Sequence, residues 1–351
     1  MSAARKIRVL VVDDSAIVRK VLSEALTNHA DIEVVGTAPD PYIARDKILA
    51  LAPDVVTLDI EMPRMDGLTF LKKIMRHHPL PVIVISSLGQ ASSRAAIEAL
   101  ANGAVDVLCK PGGPYSVGEL SRILADKVRA AAAARIKKLT AAAPPAASRV
   151  LPPSQEDNAF RQSTVVAMGA STGGTEAIAA VLREIPPTAP GIVVTQHIPA
   201  GFSLAFANRL NQLCAIEVRE AVDGDEVRPG LALIAPGNFH MLLRRSGYGY
   251  SVAVKTGPRV CYQRPSVDVL FTSVAEVAGA DSIGVILTGM GSDGAEGLLR
   301  MKGAGAYTIA QDEASCVVFG MPREAIRNGS VQEVVPLPHV AGSILRALNR
   351  A

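Results

Sequence analysis

Residues Thr164 to Gly174, TVVAMGASTGG, run from an apolar stretch into a glycine-flanked serine, and an amphipathic segment, TEAIAAVLREI, follows. The pattern predicts a strand, a sharp turn and a helix. Such a turn holds Ser171 at the C-terminal edge of a sheet, where its hydroxyl projects. Gly169, Ser171 and Gly173 fit the GxSxG spacing: the glycines permit the tight turn, and the helix start offers N–H groups and a positive dipole end to a developing oxyanion. The same glycine-rich turn also builds phosphate and dinucleotide sites. Taken alone, it leaves a nucleophile and a phosphate cradle both open.

The first third of the chain alternates apolar runs with helical patterns. The runs are Ile7 to Val12, Glu33 to Ala38, Val55 to Leu58, Val82 to Ser86 and Val105 to Leu108. The helices are expected over Ala16 to Thr27, Pro41 to Leu51, Thr69 to Arg76, Ser92 to Ala101 and Ser116 to Ala134. Five β-α repeats require crossover connections and therefore a parallel sheet covered on both faces. Composition then shifts to alanine, proline and polar residues (AAAAR, TAAAPPAASRVLPPSQEDN), which bury no core and read as a helical extension and a linker. A second α/β unit follows, with apolar strands at Thr164 to Met168, Gly191 to Thr195, Leu231 to Ala235, Ile283 to Thr288 and Tyr307 to Gln311. His240 to Lys255 alternates around Gly-Tyr-Gly and is expected to form a β-hairpin inserted in it. The reading is thus two doubly wound parallel-sheet α/β domains, the first over 1–128, a linker over 129–160 and the second over 161–351.

The 351 residues are 49% hydrophobic and 20% charged, with a net charge of +3, which describes an ordinary globular protein. Neither nucleic acid nor membrane insertion is expected, and Lys127, Arg129, Arg135, Lys137 and Lys138 read as a solvated face. Asp13 and Asp14 interrupt the first apolar run too early for a secretory segment, so the expected location is cytoplasmic. Cys109, Cys214, Cys261 and Cys316 stand far apart, without metal or disulfide spacing.

At the ends of the first sheet's strands stand Asp13 and Asp14, Asp59, Ser86 and Lys110. In a doubly wound sheet these meet at one crevice, and clustered carboxylates there call for a hard cation such as Mg²⁺. Asp59 is the expected phosphoryl acceptor. The DD pair, the segment LDIEMPRMDG, the serine and Lys110-Pro111 resemble the response-regulator receiver family, of flavodoxin-like fold. The resemblance implies Asp14, Asp59 and the backbone carbonyl of Glu61 as Mg²⁺ ligands with Asp13 assisting, and Lys110 and Ser86 as phosphoryl-binding groups. Val107 departs from the pattern, because many receivers carry a switching aromatic residue there.

In the second domain Ser171 needs a base and an orienting carboxylate. His197 follows the strand GIVVTQ on the same sheet edge, whereas His240 stands at the hairpin entrance and His339 in a proline-rich tail. Asp293, in GMGSDGAEG after the strand SIGVILTG, occupies a second glycine-rich strand-to-helix turn. Asp223, Asp225 and Asp268 compete with it from a loop or a helix start. The order Ser, His, Asp differs from that of the α/β-hydrolases.

GASTGG, QHIP, IAPGNFHM and LTGMGSDGA, in this order behind a receiver, resemble the chemotaxis response regulator protein-glutamate methylesterases over nearly the whole chain. The resemblance implies a Rossmann-like esterase domain that hydrolyses glutamyl methyl esters on chemoreceptors and deamidates certain receptor glutamines. Ser171, His197 and Asp293 would be its triad, and the backbone N–H groups of Thr172 and Met290 its oxyanion hole. Mg²⁺ would serve receiver phosphorylation and no cofactor the hydrolysis, with a chemotaxis histidine kinase as phosphodonor. A nucleotide-binding output domain and a non-catalytic module are the rivals. The first lacks GxGxxG spacing and an acidic residue after the next strand, where Thr195 to His197 stand.

Overall fold

Apolar β-branched runs fix both sheets, because strands buried on two faces must be apolar throughout. A computed structural model describes residues 5–111, 117–136 and 163–349. The chain divides into two compact units, Met1–Ala143 and Pro144–Ala351.

In the first unit β1 (Ile7–Val12), β2 (Ile32–Ala38), β3 (Val55–Asp59), β4 (Val82–Ser86) and β5 (Asp106–Cys109) form one sheet in the order β2-β1-β3-β4-β5. All its pairings are parallel. The helices α1 (Ala16–Thr27), α2 (Pro41–Leu51), α3 (Gly67–His77), α4 (Gln90–Ala101) and α5 (Val117–Ala132) alternate with the strands. Capping sets where they begin. Asp40 accepts from the amides of Tyr42 and Ile43, with Pro41 at the first helical position. Asp66 accepts from Thr69 N, so α3 opens two residues earlier than its hydrophobic periodicity indicates. The order reverses between β1 and β3, which places the crevice of this sheet at Asp13, Asp14 and Asp59.

One expectation fails in this unit. Lys127 and Arg129 are not a solvated face: Lys127 Nζ lies 2.6 Å from Asp106 Oδ1, and Arg129 Nε lies 2.7 Å from Asp31 Oδ2. Lys127 fastens α5 to β5, and Arg129 fastens it to the turn before β2. Lys137, Lys138 and most of the expected linker lie outside the described residues.

The second unit carries a seven-stranded sheet, ordered β15-β14-β13-β6-β7-β10-β8. Its strands are β6 (Val165–Ala170), β7 (Gly191–Gln196), β8 (Glu217–Glu220), β10 (Leu231–Ile234), β13 (Ser282–Ile286), β14 (Tyr307–Gln311) and β15 (Glu333–Val335), paired in parallel. The chain builds outward from β6 through β7 to one edge, then returns beside β6 with β13 and builds to the other. The switch point is therefore the end of β6, where Ser171 stands. Here α6 (Gly174–Arg183), α7 (Phe202–Leu213) and α9 (Ala295–Gly303) start on Gly173, Gly201 and Gly294, all at positive φ. Two further helices, α10 (Met321–Arg327) and α11 (Val340–Leu348), close the chain. His339 ends the short proline-containing turn Leu337–His339 just before α11, and its side chain makes no capping hydrogen bond.

The hairpin forms as expected from β11 (His240–Ser246) and β12 (Gly249–Lys255), and β9 (Glu226–Val227) adds a third strand to it. Met241, Leu243, Tyr250 and Val252 share one buried cluster with Val267, Leu270, Phe271 and Val274 of α8 (Val267–Val277). Burying each such side chain is worth about 1.5–3 kcal/mol. Leu243 N also donates to Ser273 Oγ at 2.8 Å. The hairpin thereby seats α8, and α8 matters because its first turn reaches the switch point.

Candidate active site

β6 runs two residues further than its apolar run implies, so Gly169 and Ala170 are still in the ladder and Ser171 follows directly. Ser171 N donates to Thr288 O at 3.0 Å, and Gly174 N turns back to Ser171 O at 2.7 Å. Across the other ladder, His197 N donates to Ala170 O at 3.0 Å. Serine and histidine thus sit at adjoining strand ends, and both are buried.

The glycines around the serine answer to close packing. A Cβ on Gly173 would stand 2.6 Å from Val317 Cβ, and its φ of +77° is one that side chains rarely adopt. A Cβ on Gly289 would meet Ser171 Cβ at 2.7 Å, so the Gly289-Met290 backbone passes directly beside the serine. Thr288 Oγ1 donates to Thr172 O at 3.0 Å and accepts from Val318 N at 3.0 Å, which locks the facing loops together.

Asp293 reaches His197 across the end of β6. Its Oδ2 lies 2.7 Å from His197 Nε2. A carboxylate accepts, so Nε2 carries the proton and Nδ1 is left as the acceptor; Nδ1 is buried and has no hydrogen-bond partner. Three more donors hold the carboxylate, all from the start of α8: Ser266 Oγ at 2.8 Å, Val267 N at 2.7 Å and Asp268 N at 3.1 Å. Burial raises the pKa of Asp293, but the hydrogen bonds from His197, Val267 N and Ser266 Oγ outweigh it, and the net shift is downward. Asp293 therefore stays ionised against the imidazole.

Asp268 fares differently beside it. Burial first, and then the charge of Asp293, push its pKa up to about 6 against the pull of Gly297 N. Cys261, exposed nearby, is pushed up to about 11 by burial and the same two carboxylates. Cys261, Asp268 and Asp293 stand close enough to share an ion, yet both Asp293 oxygens are already taken by the four donors.

The competitors are accounted for. His240 accepts from Ser266 N at Nδ1 and lies 2.9 Å from Pro258 O at Nε2, so it braces the loop before α8. Asp223 accepts from Val254 N in the hairpin, and Asp225 pairs with Arg219. Sequence reasoning missed Ser266, Gln196 and Thr288, which hold the site from behind. Ser266 had a signal, since a serine ahead of an apolar helical run is an N-cap.

The first unit gathers its own constellation. Asp13, Asp14 and Asp59 offer carboxylate oxygens within 4.8 Å of one another. Lys110 Nζ lies 2.7 Å from Asp59 Oδ2 and 3.5 Å from Asp13 Oδ2. Asp59 Oδ1 accepts from Glu61 N at 3.0 Å. Burial raises the carboxyl of Asp59 to about 6, although Lys110 pulls it down. Asp13 Oδ2 is buried and makes no hydrogen bond, its one near partner being the Lys110 ammonium at 3.5 Å, so it has lone pairs a hard cation would satisfy. The residues present therefore fit a divalent cation. Gly67 is required here, because its Cβ would fall 1.9 Å from Asp59 O. Ser86 Oγ donates to Ser87 O and Ser92 O, each at 3.3 Å, and the Glu61 side chain accepts from Ser87 and Ser92.

Both units of the chain are similar to known proteins. Residues 166–344 match the family model described as CheB methylesterase, and residues 9–120 that described as response regulator receiver domain. The chain is 59% identical over 342 residues to a Syntrophus aciditrophicus protein named protein-glutamate methylesterase/protein-glutamine glutaminase 2, covering 97% of this chain and 99% of that one. It is 52% identical to a Salmonella typhimurium protein named protein-glutamate methylesterase/protein-glutamine glutaminase, covering 98% and 97%. Among solved structures, the Thermotoga maritima CheB methylesterase catalytic domain aligns with a TM-score of 0.51 at 36% identity, covering 52% of this chain and 97% of that one.

Proposed function

Because this chain belongs to the CheB methylesterase family, with a response regulator receiver ahead of its catalytic domain, we propose that Ser171, His197 and Asp293 are the nucleophile, base and orienting carboxylate of its reaction. The chain is a protein-glutamate methylesterase and protein-glutamine glutaminase, regulated by phosphorylation and acting in chemotaxis adaptation. The domain bounds proposed are the receiver over 1–128, the linker over 129–160 and the catalytic domain over 161–351, with the last turn of α5 running into the linker as far as Ala132.

His197 Nδ1 takes the Ser171 proton as Oγ attacks the γ-carbonyl carbon of the glutamyl ester. The tetrahedral oxyanion is held by the backbone N–H groups of Thr172 and Met290, each worth about 3 kcal/mol. Collapse breaks the ester C–O bond, and the proton on Nδ1 passes to the leaving methoxide, so methanol departs. Water then gives a proton to Nδ1 and attacks the acyl-serine; collapse breaks the bond between the acyl carbon and Ser171 Oγ, which takes the proton back from Nδ1 as glutamate is released. A glutamine enters the same cycle with ammonia as the leaving group. Asp293 stays ionised throughout and stabilises the imidazolium.

Asp59 takes the phosphoryl group, with Lys110 and Ser86 on its oxygens and a chemotaxis histidine kinase as the donor. Asp13, Asp14, Asp59 and the Glu61 carbonyl would hold Mg²⁺, which when bound offsets the phosphoryl charge. The unphosphorylated receiver restrains the catalytic domain and phosphorylation relieves it. The substrates are cytoplasmic segments of chemoreceptors. Among the described residues no helix is long and apolar enough to cross a membrane.

The observation that carries this reading is the His197–Asp293 pair beside Ser171 at the switch point of the sheet. It also weighs against the phosphate cradle, because Gly174 N is bonded back to Ser171 O instead of being offered to a ligand. Methanol release from methylated receptor, with and without acetyl phosphate, tests it. Stimulated release supports the assignment, and none under either condition refutes it.

A further inference from the structure

Between the nucleophile and the base lies a side chain that the reaction itself does not use. Gln196 ends β7, is buried, and directs its amide nitrogen to two backbone carbonyls. Nε2 lies 2.8 Å from Ser171 O and 3.2 Å from His197 O. The orientation follows from chemistry: turned over, Oε1 would face two carbonyl oxygens, and acceptors repel. Oε1 is left buried without a hydrogen-bond partner. An unsatisfied buried acceptor costs stability, so its retention calls for an explanation.

A second observation shows that the turn is shaped around this amide. A Cβ on Gly174 would fall 2.1 Å from Gln196 Oε1 and 2.6 Å from Ala170 Cβ. Gly174 carries no positive φ, unlike Gly173, so its requirement is for space. With Gly174 N on the same Ser171 carbonyl, both lone pairs of that oxygen are taken.

We propose that Gln196 is a positioning residue: its amide ties the backbone of Ser171 to that of His197 and sets the separation between nucleophile and base. This rests on the assignment of Ser171 and His197 above. The two residues follow different strands, β6 and β7; Asp293 holds the His197 ring, and the bond from His197 N to Ala170 O links the two strand ends beside the Gln196 amide. Misplacement of reacting groups by about 1 Å can cost on the order of 10²-fold in rate. A purely structural role would lower stability or substrate binding without that loss.

The test is Gln196→Met in the full-length chain, which keeps side-chain length and removes both donors. With acetyl phosphate present, kcat for methanol release is expected to fall on the order of 10²-fold while KM changes less than about threefold. The rate of Ser171 labelling by a fluorophosphonate is expected to fall with kcat. An unchanged kcat, or a loss confined to KM, overturns the proposal. Hydrogen exchange on the ¹⁵N-labelled wild-type chain decides it independently of how the variant folds. The Gln196 Nε2 protons are expected to exchange slowly, and exchange at the rate of an exposed glutamine overturns the clamp. Ser171→Ala run in parallel separates the two levels: activity in that variant removes the site assignment, whereas a fully active Q196M beside an inactive S171A removes only the clamp.

Discussion

His197 Nε2 and Asp293 Oδ2 are 2.7 Å apart, so the carboxylate takes the ε-nitrogen and the δ-nitrogen is left as an acceptor. Asp293 itself is met by donors on both oxygens, three of them from Ser266 and the first turn of α8. An amide at this position must set its NH₂ against one of those donors in either orientation. Asp293→Asn is therefore expected to lower kcat on the order of 10⁴-fold. Methanol release within tenfold of wild type would show that the pair is not part of the chemistry.

Asp268 makes stability depend on pH in a definite direction. Its folded pKa of about 6 lies above the ordinary value of 3.8, so between these values the folded state binds the proton more tightly. The stabilisation is complete below about pH 4 and is lost as pH rises through about 6. Asp268→Asn keeps an oxygen for Gly297 N and removes the charge beside Asp293. Its melting temperature is expected to exceed that of wild type above pH 6 and to converge with it toward pH 4. A difference that does not vary with pH contradicts this account.

Gly67 bears on the receiver in the same way that Gly174 bears on the catalytic turn. A methyl group 1.9 Å from Asp59 O must displace the phosphorylation loop. Gly67→Ala is expected to cost about 2 kcal/mol or more, read from denaturant unfolding, and to lower phosphorylation by acetyl phosphate. Wild-type behaviour on both measurements would mean that the loop has room the packing does not show.

Regulation predicts two opposite changes. Deleting residues 1 to about 150 is expected to raise methanol release in the absence of a phosphodonor. Asp59→Asn in the full chain is expected to keep basal release and lose stimulation by acetyl phosphate. Equal basal activity of full-length and truncated chains would remove restraint by the receiver.

Much of this was legible in the sequence because it lies in strand ends and glycines. The apolar runs gave β1, β4 and β14 with their observed limits, and the hairpin limits followed from alternation around Gly247 to Gly249. Ser171, His197 and Asp293 could be gathered on one edge because parallel strands end together. What stayed hidden depends on tertiary packing. Nothing local marks Gln196 as reaching the carbonyl of Ser171 from another strand, or the start of α8 as the support of Asp293. Lys127 and Arg129 read as solvated because their partners, Asp106 and Asp31, stand 21 and 98 residues away.

Whether Ser171 is the nucleophile of a phosphorylation-regulated ester hydrolysis is decided by methanol release from the Ser171→Ala protein in the presence of acetyl phosphate. Folding is expected to be unchanged, judged by its melting curve, and release is expected to fall on the order of 10⁴-fold. A folded Ser171→Ala protein that releases methanol at a near wild-type rate would contradict the account.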